Sequence, residues 1–191
     1  MNRRRRRLLT ITTVLGGIGA AVTATPFILS MKPSARALAA GGPVNVDISK
    51  LEAGQILTVE WRGKPVWIVR RTPAMLAQLE RNAPLLVDPN SEVASQQPSY
   101  AKNVPRSIKP EALVVIGICT HLGCVPSPKL AAGAISGIGS DWPGGYFCPC
   151  HGSKFDLAGR VFKNVPAPTN LVVPPHRYVN DALIEIGADQ I

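Results

Sequence analysis

Two short boxes contain all four cysteines of this 191-residue chain and two of its three histidines. The boxes are residues 119–124, which read CTHLGC, and residues 148–153, which read CPCHGS. Each box offers one cysteine and one histidine at short spacing and leaves one cysteine over. Residues 120–168 are dominated by Gly, Pro, Cys and Ser and have little periodicity. Such a segment folds only if something other than a hydrophobic core organises it.

The chemistry of the boxes leaves three interpretations open at this point. Two thiolates and two imidazoles suit either a tetrahedral zinc ion or an iron-sulfur cluster with mixed ligands. A structural zinc site explains four ligands but not the second cysteine pair, Cys124 and Cys150. A scaffold with two disulfides explains four cysteines but not the two histidines.

These boxes resemble those of the Rieske family, in its high-potential, disulfide-containing branch. The resemblance extends to the apolar N-terminus, to the hairpin at residues 59–65 and to the proline-containing loop at residues 164–168. It implies an all-β Rieske-type domain, with antiparallel sheets and a loop-rich cluster-binding insertion, behind one N-terminal transmembrane helix.

The resemblance also implies roles for single residues. The implied ligands of one 2Fe-2S cluster are two cysteines on the inner iron and two histidines on the outer iron, namely Cys119, Cys148, His121 and His151. A disulfide between Cys124 and Cys150 is implied as well. Hydrogen bonding or shielding of the cluster falls to Ser153, Leu122, Gly123 and Gly152, with close backbone approach at the glycines, and a covering loop contains Pro166 and Pro168. His176 is isolated from both boxes, and we expect it to be a structural or surface residue rather than a ligand.

The excess positive charge of the chain is a feature of its N-terminus. The net charge is +9, and residues 1–40 contain seven basic and no acidic residues, so the rest of the chain is close to neutral. A folded basic groove is not indicated, and we expect no nucleic-acid partner.

An uncharged run from Leu8 to Met31 exceeds the roughly 20 apolar residues that cross a bilayer. The arginines before it, residues 3–7, predict a cytoplasmic N-terminus and also fit a twin-arginine export signal. A signal peptide cleaved near residues 35–39 is the alternative, but its apolar region is usually only about 7–15 residues long. We therefore expect a single-pass protein of the bacterial inner membrane with a periplasmic head, where a disulfide can form.

Composition divides the chain into three predicted segments. Residues 1–31 hold the arginine cluster and the anchor or twin-arginine signal, and residues 32–43, rich in Ala, Gly, Ser and Pro, predict a flexible hinge. Residues 44–191 form the predicted Rieske domain, whose cluster-binding part spans about 119–168.

Hydrophobic periodicity predicts the elements of this domain. Strands are expected at residues 44–48, 56–61, 66–71 and 113–119. A helix is expected from Pro73 to about Arg81, capped by Thr72, and residues 88–110 are expected to form a loop. A final hairpin, residues 177–179 and 182–186, is expected to turn at Asn180-Asp181 with primed geometry.

The family implies the iron-sulfur subunit of a quinol:cytochrome c oxidoreductase. Such a subunit accepts one electron, with a coupled proton, from a membrane quinol and passes the electron to a c-type haem. His151 is the implied quinol contact and proton acceptor. The implied partners are cytochrome b and a c-type cytochrome in a dimeric complex, with membrane quinol and membrane lipid. The alternatives are the Rieske subunit of a periplasmic molybdenum oxidase and a soluble ferredoxin, and the anchor and the second cysteine pair count against the ferredoxin.

Two features of the cluster-binding part stand apart from the minimal family pattern. Phe155 occupies a position where many ubiquinol-oxidising relatives place a tyrosine, which would donate its hydroxyl to the sulfur of a ligating cysteine. The resemblance therefore implies a somewhat lower potential here. The glycine-rich residues 125–147, between the boxes, are expected to add surface loops near the docking face.

Overall fold

The computed structural model describes residues 2–34 and 41–188 of the chain. It divides into two compact units, Met1–Gly41 and Gly42–Ile191. Among the described residues, the first unit contains one helix, and the second unit, called the head below, contains every strand. Six residues of the predicted hinge, 35–40, lie outside the described ranges.

The N-terminal unit is the helix α1, Arg3–Ser30, and its arginines lie within the helix rather than ahead of it. The side chain of Asn2 caps it by accepting from the N–H of Arg4 at 3.1 Å. Its most apolar stretch has a mean hydropathy of 1.6, and the helix is long and apolar enough to cross a membrane. Threonine hydroxyls inside it donate to carbonyls four residues earlier, which satisfies these polar groups within the helix. The predicted N-terminal apolar helix is confirmed.

The strands of the described head are β1 Val44–Asp47, β2 Ile56–Trp61, β3 Lys64–Arg70, β4 Ala112–Ile116, β5 Ser127–Lys129, β6 Gly145–Phe147, β7 Lys154–Phe155, β8 His176–Asn180 and β9 Leu183–Ile186. They form three antiparallel sheets of three strands each, with the orders β1-β9-β8, β2-β3-β4 and β5-β6-β7. The helix α2, Pro73–Asn82, follows β3, and short 3-10 turns lie at Ala83–Leu85, Ala94–Gln96, Ser99–Ala101 and Ala134–Ser136. The all-β fold class is confirmed.

The middle sheet is apolar on both of its faces. On β3, Trp67 and Val69 pack into the cluster of buried side chains beneath the two boxes, which contains the first cysteine of each box. Val66 and Ile68 alternate with them and pack into a second cluster, against β1 and β9. All five residues of β4 are buried as well. Continuous apolar runs are typical of strands that are covered on both sides.

Several predicted boundaries differ from those in the structure. β3 begins at Lys64, earlier than predicted, because the turn uses only Arg62 and Gly63, at φ angles of 52° and 69°. β4 ends at Ile116 instead of reaching Cys119, since the next residues already belong to the first loop. The helix after Thr72 begins as predicted, with the threonine hydroxyl accepting at 3.2 Å.

The predicted primed turn at Asn180-Asp181 is wrong. The register pairs Asn180 with Leu183, so the turn residues are Asp181 and Ala182, and neither is among the residues with a positive φ angle. The side chain of Asn180 accepts from the N–H of Ala182 at 2.9 Å. This side-chain bond stabilises the turn without left-handed backbone.

A buried ion pair lies directly behind the second box. Asp156 and Arg160 are both fully buried, with the carboxylate 2.7 Å from Nη2 and 2.9 Å from Nε of the guanidinium. The same guanidinium donates to the carbonyls of Leu79 in α2 and Pro89 in the following loop. Arg160 therefore joins the segment that follows the second box to two separate parts of the head.

Two more arginines, Arg71 and Arg106, are buried among backbone carbonyls. Desolvation lowers the pKa of each to about 10. Arg71 donates to the carbonyls of Pro105, Pro110 and Leu157. Arg106 donates to the carbonyls of Gln96, Ala158 and Gly159. Both arginines therefore join residues 88–110 to the segment that follows the second box. The predicted loop at 88–110 is thus held by arginine bonds rather than by strands.

Replacing Arg160 with methionine should lower the free energy of unfolding by about 3–5 kcal/mol, because the Asp156 carboxylate stays buried without its partner. The matched control is Arg177→Met, since the Arg177–Glu185 pair is 2.6 Å long but its arginine side chain is 36% exposed. The control should lose less than about 1 kcal/mol. Chemical denaturation measures both losses, and equal losses would contradict the central role of Arg160.

Candidate metal centre

The first box forms a tight loop directly after β4. The N–H of Cys119 donates to the carbonyl of Cys124 at 2.7 Å, and the N–H of Gly123 donates back to the carbonyl of Cys119 at 3.0 Å. The two bonds close the loop at its base, so the residues between them project outward from the end of the middle sheet.

The second box repeats these bonds at the corresponding positions. The N–H of Cys148 donates to the carbonyl of Ser153 at 2.8 Å, and the N–H of Gly152 donates to the carbonyl of Cys148 at 2.9 Å. This loop connects β6 to β7. Two loops of the same construction therefore present their first cysteine at the same position, whereas the histidine is the third residue of the first box and the fourth of the second.

Each loop needs a glycine for its backbone conformation. Gly123 has a φ angle of 84° and Gly152 one of 77°, a region that side chains with a Cβ rarely adopt. A Cβ at either position would meet no protein atom within 4 Å. The requirement visible in the protein itself is the turn, and close approach to a cluster stays a prediction.

The four cysteines divide into one disulfide and two free thiols. Cys124 and Cys150 form the disulfide between the two loops, and Cys119 and Cys148 are free and buried. The sulfur atoms of Cys124, Cys148 and Cys150 lie within 4.8 Å of one another. The two in the disulfide have no thiolate to offer, so the free sulfur donors are those of Cys119 and Cys148.

Two imidazoles complete this set of donors. The rings of His121 and His151 lie with their centroids 4.8 Å apart and their planes at 89°. The first histidine is half-buried and the second is exposed. The boxes therefore bring together two buried thiols and two neighbouring imidazoles, and one imidazole faces solvent.

Burial raises the pKa of the Cys119 thiol, because desolvation disfavours the thiolate, and the hydrogen-bonded thiol of Cys148 raises it further. A thiol of this kind is a poor nucleophile at neutral pH. It ionises readily only when a cation compensates the buried charge. The donor set thus fits a metal centre with two sulfur and two nitrogen ligands, and it does not fit a catalytic cysteine.

A third loop, residues 164–169, is hydrogen-bonded to both boxes. The hydroxyl of Thr120, in the first box, donates to the carbonyl of Thr169 at 2.7 Å. The hydroxyl oxygen of Ser153, in the second box, accepts from the N–H of Ala167 at 3.0 Å. The bond from Ala167 leaves the serine hydroxyl able to donate, and its hydrogen bond to Cys119 acts to lower the pKa of that thiol. Neither Thr120 nor Ala167 was given a role by the sequence, although the threonine lies within the first box.

The surface around the boxes is apolar. Leu122 is 71% exposed and Val125 is 52% exposed, and Pro166 and Pro168 of the third loop are exposed as well. His151 in the second box is exposed too. Exposed apolar side chains together with an accessible imidazole are typical of a docking site.

Phe155 is fully buried beneath the boxes and stands opposite Tyr146 in the register of β6 and β7. Both rings pack in the cluster that contains Cys119 and Cys148. Tyr146 stacks on Trp67 at 5.1 Å, and its hydroxyl has no hydrogen-bond partner in the described residues. Burial raises the pKa of Tyr146 above its usual range. No sequence pattern pointed to this tyrosine, because one aromatic residue in a three-residue strand forms no pattern.

His176 lies apart from the boxes and is fully buried. Its Nδ1 lies 2.9 Å from the carbonyl of Pro174, and its ring meets that of Tyr100 edge to face at 5.6 Å. Burial lowers the pKa of His176, since the charged imidazolium is disfavoured there. These contacts agree with the expected structural role.

The segment between the boxes is not entirely loop. Residues 125–147 contain β5, a 3-10 turn and β6, and the turn carries Ile135 with 86% of its surface exposed. Within this segment, the indole N–H of Trp142 donates to the carbonyl of Lys129 at 2.8 Å and so joins its two ends. The strands β5 to β7 were missed from the sequence because each has only two or three residues.

Comparison with known proteins matches two parts of the chain to protein families. Residues 44–175 match the family described as Rieske [2Fe-2S] domain, and residues 1–34 match "Ubiquitinol-cytochrome C reductase Fe-S subunit TAT signal". The ubiquinol-cytochrome c reductase iron-sulfur subunit of Allochromatium vinosum is 63% identical, over 98% of this chain and 89% of its own length. The protein of the same name from Blastochloris viridis is 46% identical, over 97% and 93%.

Among solved structures, one described as a hyperthermophilic respiratory Complex III aligns with a TM-score of 0.47 and 23% identity, over 92% of this chain and 96% of the other. The family match covers more than half of the chain, and the identity to the curated relatives extends over nearly all of it. This chain therefore belongs to the Rieske [2Fe-2S] family, among the ubiquinol-cytochrome c reductase iron-sulfur subunits.

Proposed function

We propose that this chain is the iron-sulfur subunit of a quinol:cytochrome c reductase, an oxidoreductase complex of the respiratory chain. In this role it accepts one electron, with a coupled proton, from a membrane quinol and passes the electron to a c-type haem. The observation that carries the proposal is the pair of matched loops, with two buried free thiols and two adjacent imidazoles at an apolar surface. The relatives reported above carry the name of this reductase and lend no support to the molybdenum oxidase alternative.

The proposed cluster ligands are two thiolates and two imidazoles, namely Cys119, Cys148, His121 and His151. When bound, a 2Fe-2S cluster with two histidine ligands supplies a one-electron acceptor of raised potential. The disulfide between Cys124 and Cys150 holds the two loops together around it. Ser153 is proposed to donate its hydroxyl hydrogen to the cluster, because its oxygen is oriented by the N–H of Ala167 and its side chain already contacts the thiol of Cys119.

His151 is proposed to contact the quinol. Its imidazole is exposed, unlike the half-buried ring of His121, so a quinol hydroxyl can approach its outer nitrogen. At that nitrogen the imidazole accepts the hydroxyl hydrogen and then holds the proton. The exposed side chain of Leu122 provides apolar contact for a quinol ring or for the partner surface that encloses it.

Three features support anchoring in the bacterial inner membrane. α1 is long and apolar enough to span a bilayer, its first turns consist of arginines, and the N-terminal match is to a twin-arginine signal. We place the arginines on the cytoplasmic side, where they can pair with anionic lipid headgroups, and the head in the periplasm. Residues 32–43 are proposed as the hinge on which the head moves.

The proposed partners are cytochrome b, which would hold the quinol, and a c-type cytochrome, in a dimeric complex. Deleting this chain from the parent bacterium tests the proposal most directly. Membranes should then lose quinol:cytochrome c reductase activity while retaining b-type and c-type haem. Retention of full reductase activity would refute the function.

Alanine substitution of any one proposed ligand should abolish the Rieske electron paramagnetic resonance signal, because the described residues offer no other free cysteine and the remaining histidine is buried elsewhere. His176→Gln is the matched control, since it removes a histidine outside the boxes, and it should keep the signal. A signal of full strength in His151→Ala would rule out the ligand assignment.

Phe155→Tyr should raise the midpoint potential and Ser153→Ala should lower it, because a donor to sulfur stabilises the more negative, reduced state. Phe155 is buried in the same cluster as both free cysteines, so a hydroxyl there lies near sulfur. Since about 59 mV corresponds to a tenfold change for one electron, shifts of some tens of millivolts are expected. Redox titration at acidic pH measures them. Phe162→Tyr, outside that cluster, should leave the potential unchanged, and an unchanged potential in Phe155→Tyr would refute the hydrogen-bond explanation.

Replacing Ala37, Ala39 and Ala40 with proline should leave the spectrum normal but slow electron delivery to cytochrome c. Proline stiffens a tether and so restricts the movement of the head. Serine at the same three positions is the control and should preserve the rate. Flash-induced cytochrome reduction measures the rate, and equal rates in the two variants would count against a moving head.

A further inference from the structure

Trp61, the last residue of β2, contacts the point at which the chain enters the head. Its indole N–H donates to the carbonyl of Gly42 at 3.1 Å. Gly42 is the first residue of the compact head, and only Pro43 separates it from Val44 at the start of β1. The indole therefore binds the chain immediately before its first strand.

The indole ring is itself held on two other sides. The guanidinium of Arg62 lies 4.5 Å from the ring centroid, at a distance suited to a cation–π contact. Gly187, just after β9, lies against the ring edge, where a Cβ would come within 2.5 Å of the indole nitrogen. Trp61 is only 6% exposed. The ring cannot turn away from Gly42 without displacing these neighbours.

The strand that follows is a weak attachment by itself. β1 has four residues and lies at the edge of its sheet, bonded to β9 alone. Its first pair joins Val44 to Ile186. Chain ends fray unless they are tied down. A pull along the chain from the N-terminal side would open this first pair, unless the bond between Trp61 and Gly42 takes the load before it.

We propose that Trp61 is a positioning residue that fixes the length of the tether. The part of this proposal that concerns electron delivery rests on the proposed function. When the indole bond is lost, Gly42, Pro43 and the first residues of β1 lengthen the proposed hinge, and two to four such residues add roughly 7–14 Å of reach. A longer tether lowers the effective concentration of the head at its docking sites.

Hydrogen exchange in the assembled, cluster-containing complex tests the attachment. Trp61→Phe keeps an aromatic ring but removes the donor, and exchange in residues 42–47 should become roughly fivefold faster. Trp142→Phe is the matched control, since it removes another indole bond to a carbonyl, 2.8 Å long, far along the chain. The control should leave exchange in residues 42–47 as in the native protein. The midpoint potential should be unchanged in Trp61→Phe.

Electron delivery to the c-type cytochrome tests the consequence. Trp61→Phe should slow delivery roughly 1.5- to 2-fold. Deleting Ala39 and Ala40, which shortens the tether, should restore the rate in Trp61→Phe. Unchanged exchange in residues 42–47 of Trp61→Phe would overturn the proposal. Faster exchange would overturn it as well if electron delivery were not slowed, or if the deletion did not restore its rate. Failure of the proposed function is distinguishable, because the native complex would then show no quinol-dependent delivery while the exchange difference persisted.

Discussion

Burial of the middle sheet on both faces supports every functional part of the head. Apolar side chains alternate between the two sides of β3, so each side of the sheet is covered by different elements. Because β4 is buried from end to end, its last residue defines where the chain emerges, and the first box begins three positions later. The turn of the β2–β3 hairpin lies at the same end of the sheet and carries Trp61 close to the start of the head. One rigid sheet thus positions both the candidate metal centre and the attachment of the tether.

The loops of the centre are held by directed bonds rather than by a core of their own. Each box is closed by two backbone hydrogen bonds, the disulfide joins the boxes, and the third loop is bonded to one residue in each box. Behind them, Arg160 ties the segment that follows the second box to α2 and to the loop after α2. Short segments with many glycines and prolines can be rigid when their polar groups are satisfied in this way.

The elements with a periodic or characteristic sequence pattern were predicted correctly, and those selected by a single side-chain contact were not. Hydrophobic alternation predicted β2, and the Thr72-Pro73 pair predicted the start of α2. The resemblance supplied the fold class and the family. The turn after β8 could not be predicted, because one side-chain bond from Asn180 selects it. Nor could the buried arginines, since a basic residue such as Arg160 reads as exposed until its carboxylate and carbonyl partners are known.

The nearness of three sulfur atoms bears on how the protein matures. Four cysteines allow three pairings, and the sulfurs of Cys124, Cys148 and Cys150 lie within 4.8 Å of one another, so distance alone does not select the native disulfide. Thiol–disulfide exchange needs a free thiolate. A metal held by Cys148, as proposed above, would withdraw that sulfur from exchange, and burial raises the pKa of the Cys119 thiol, which disfavours its thiolate. Correct pairing is thus best secured when the cofactor is inserted before the chain meets an oxidant.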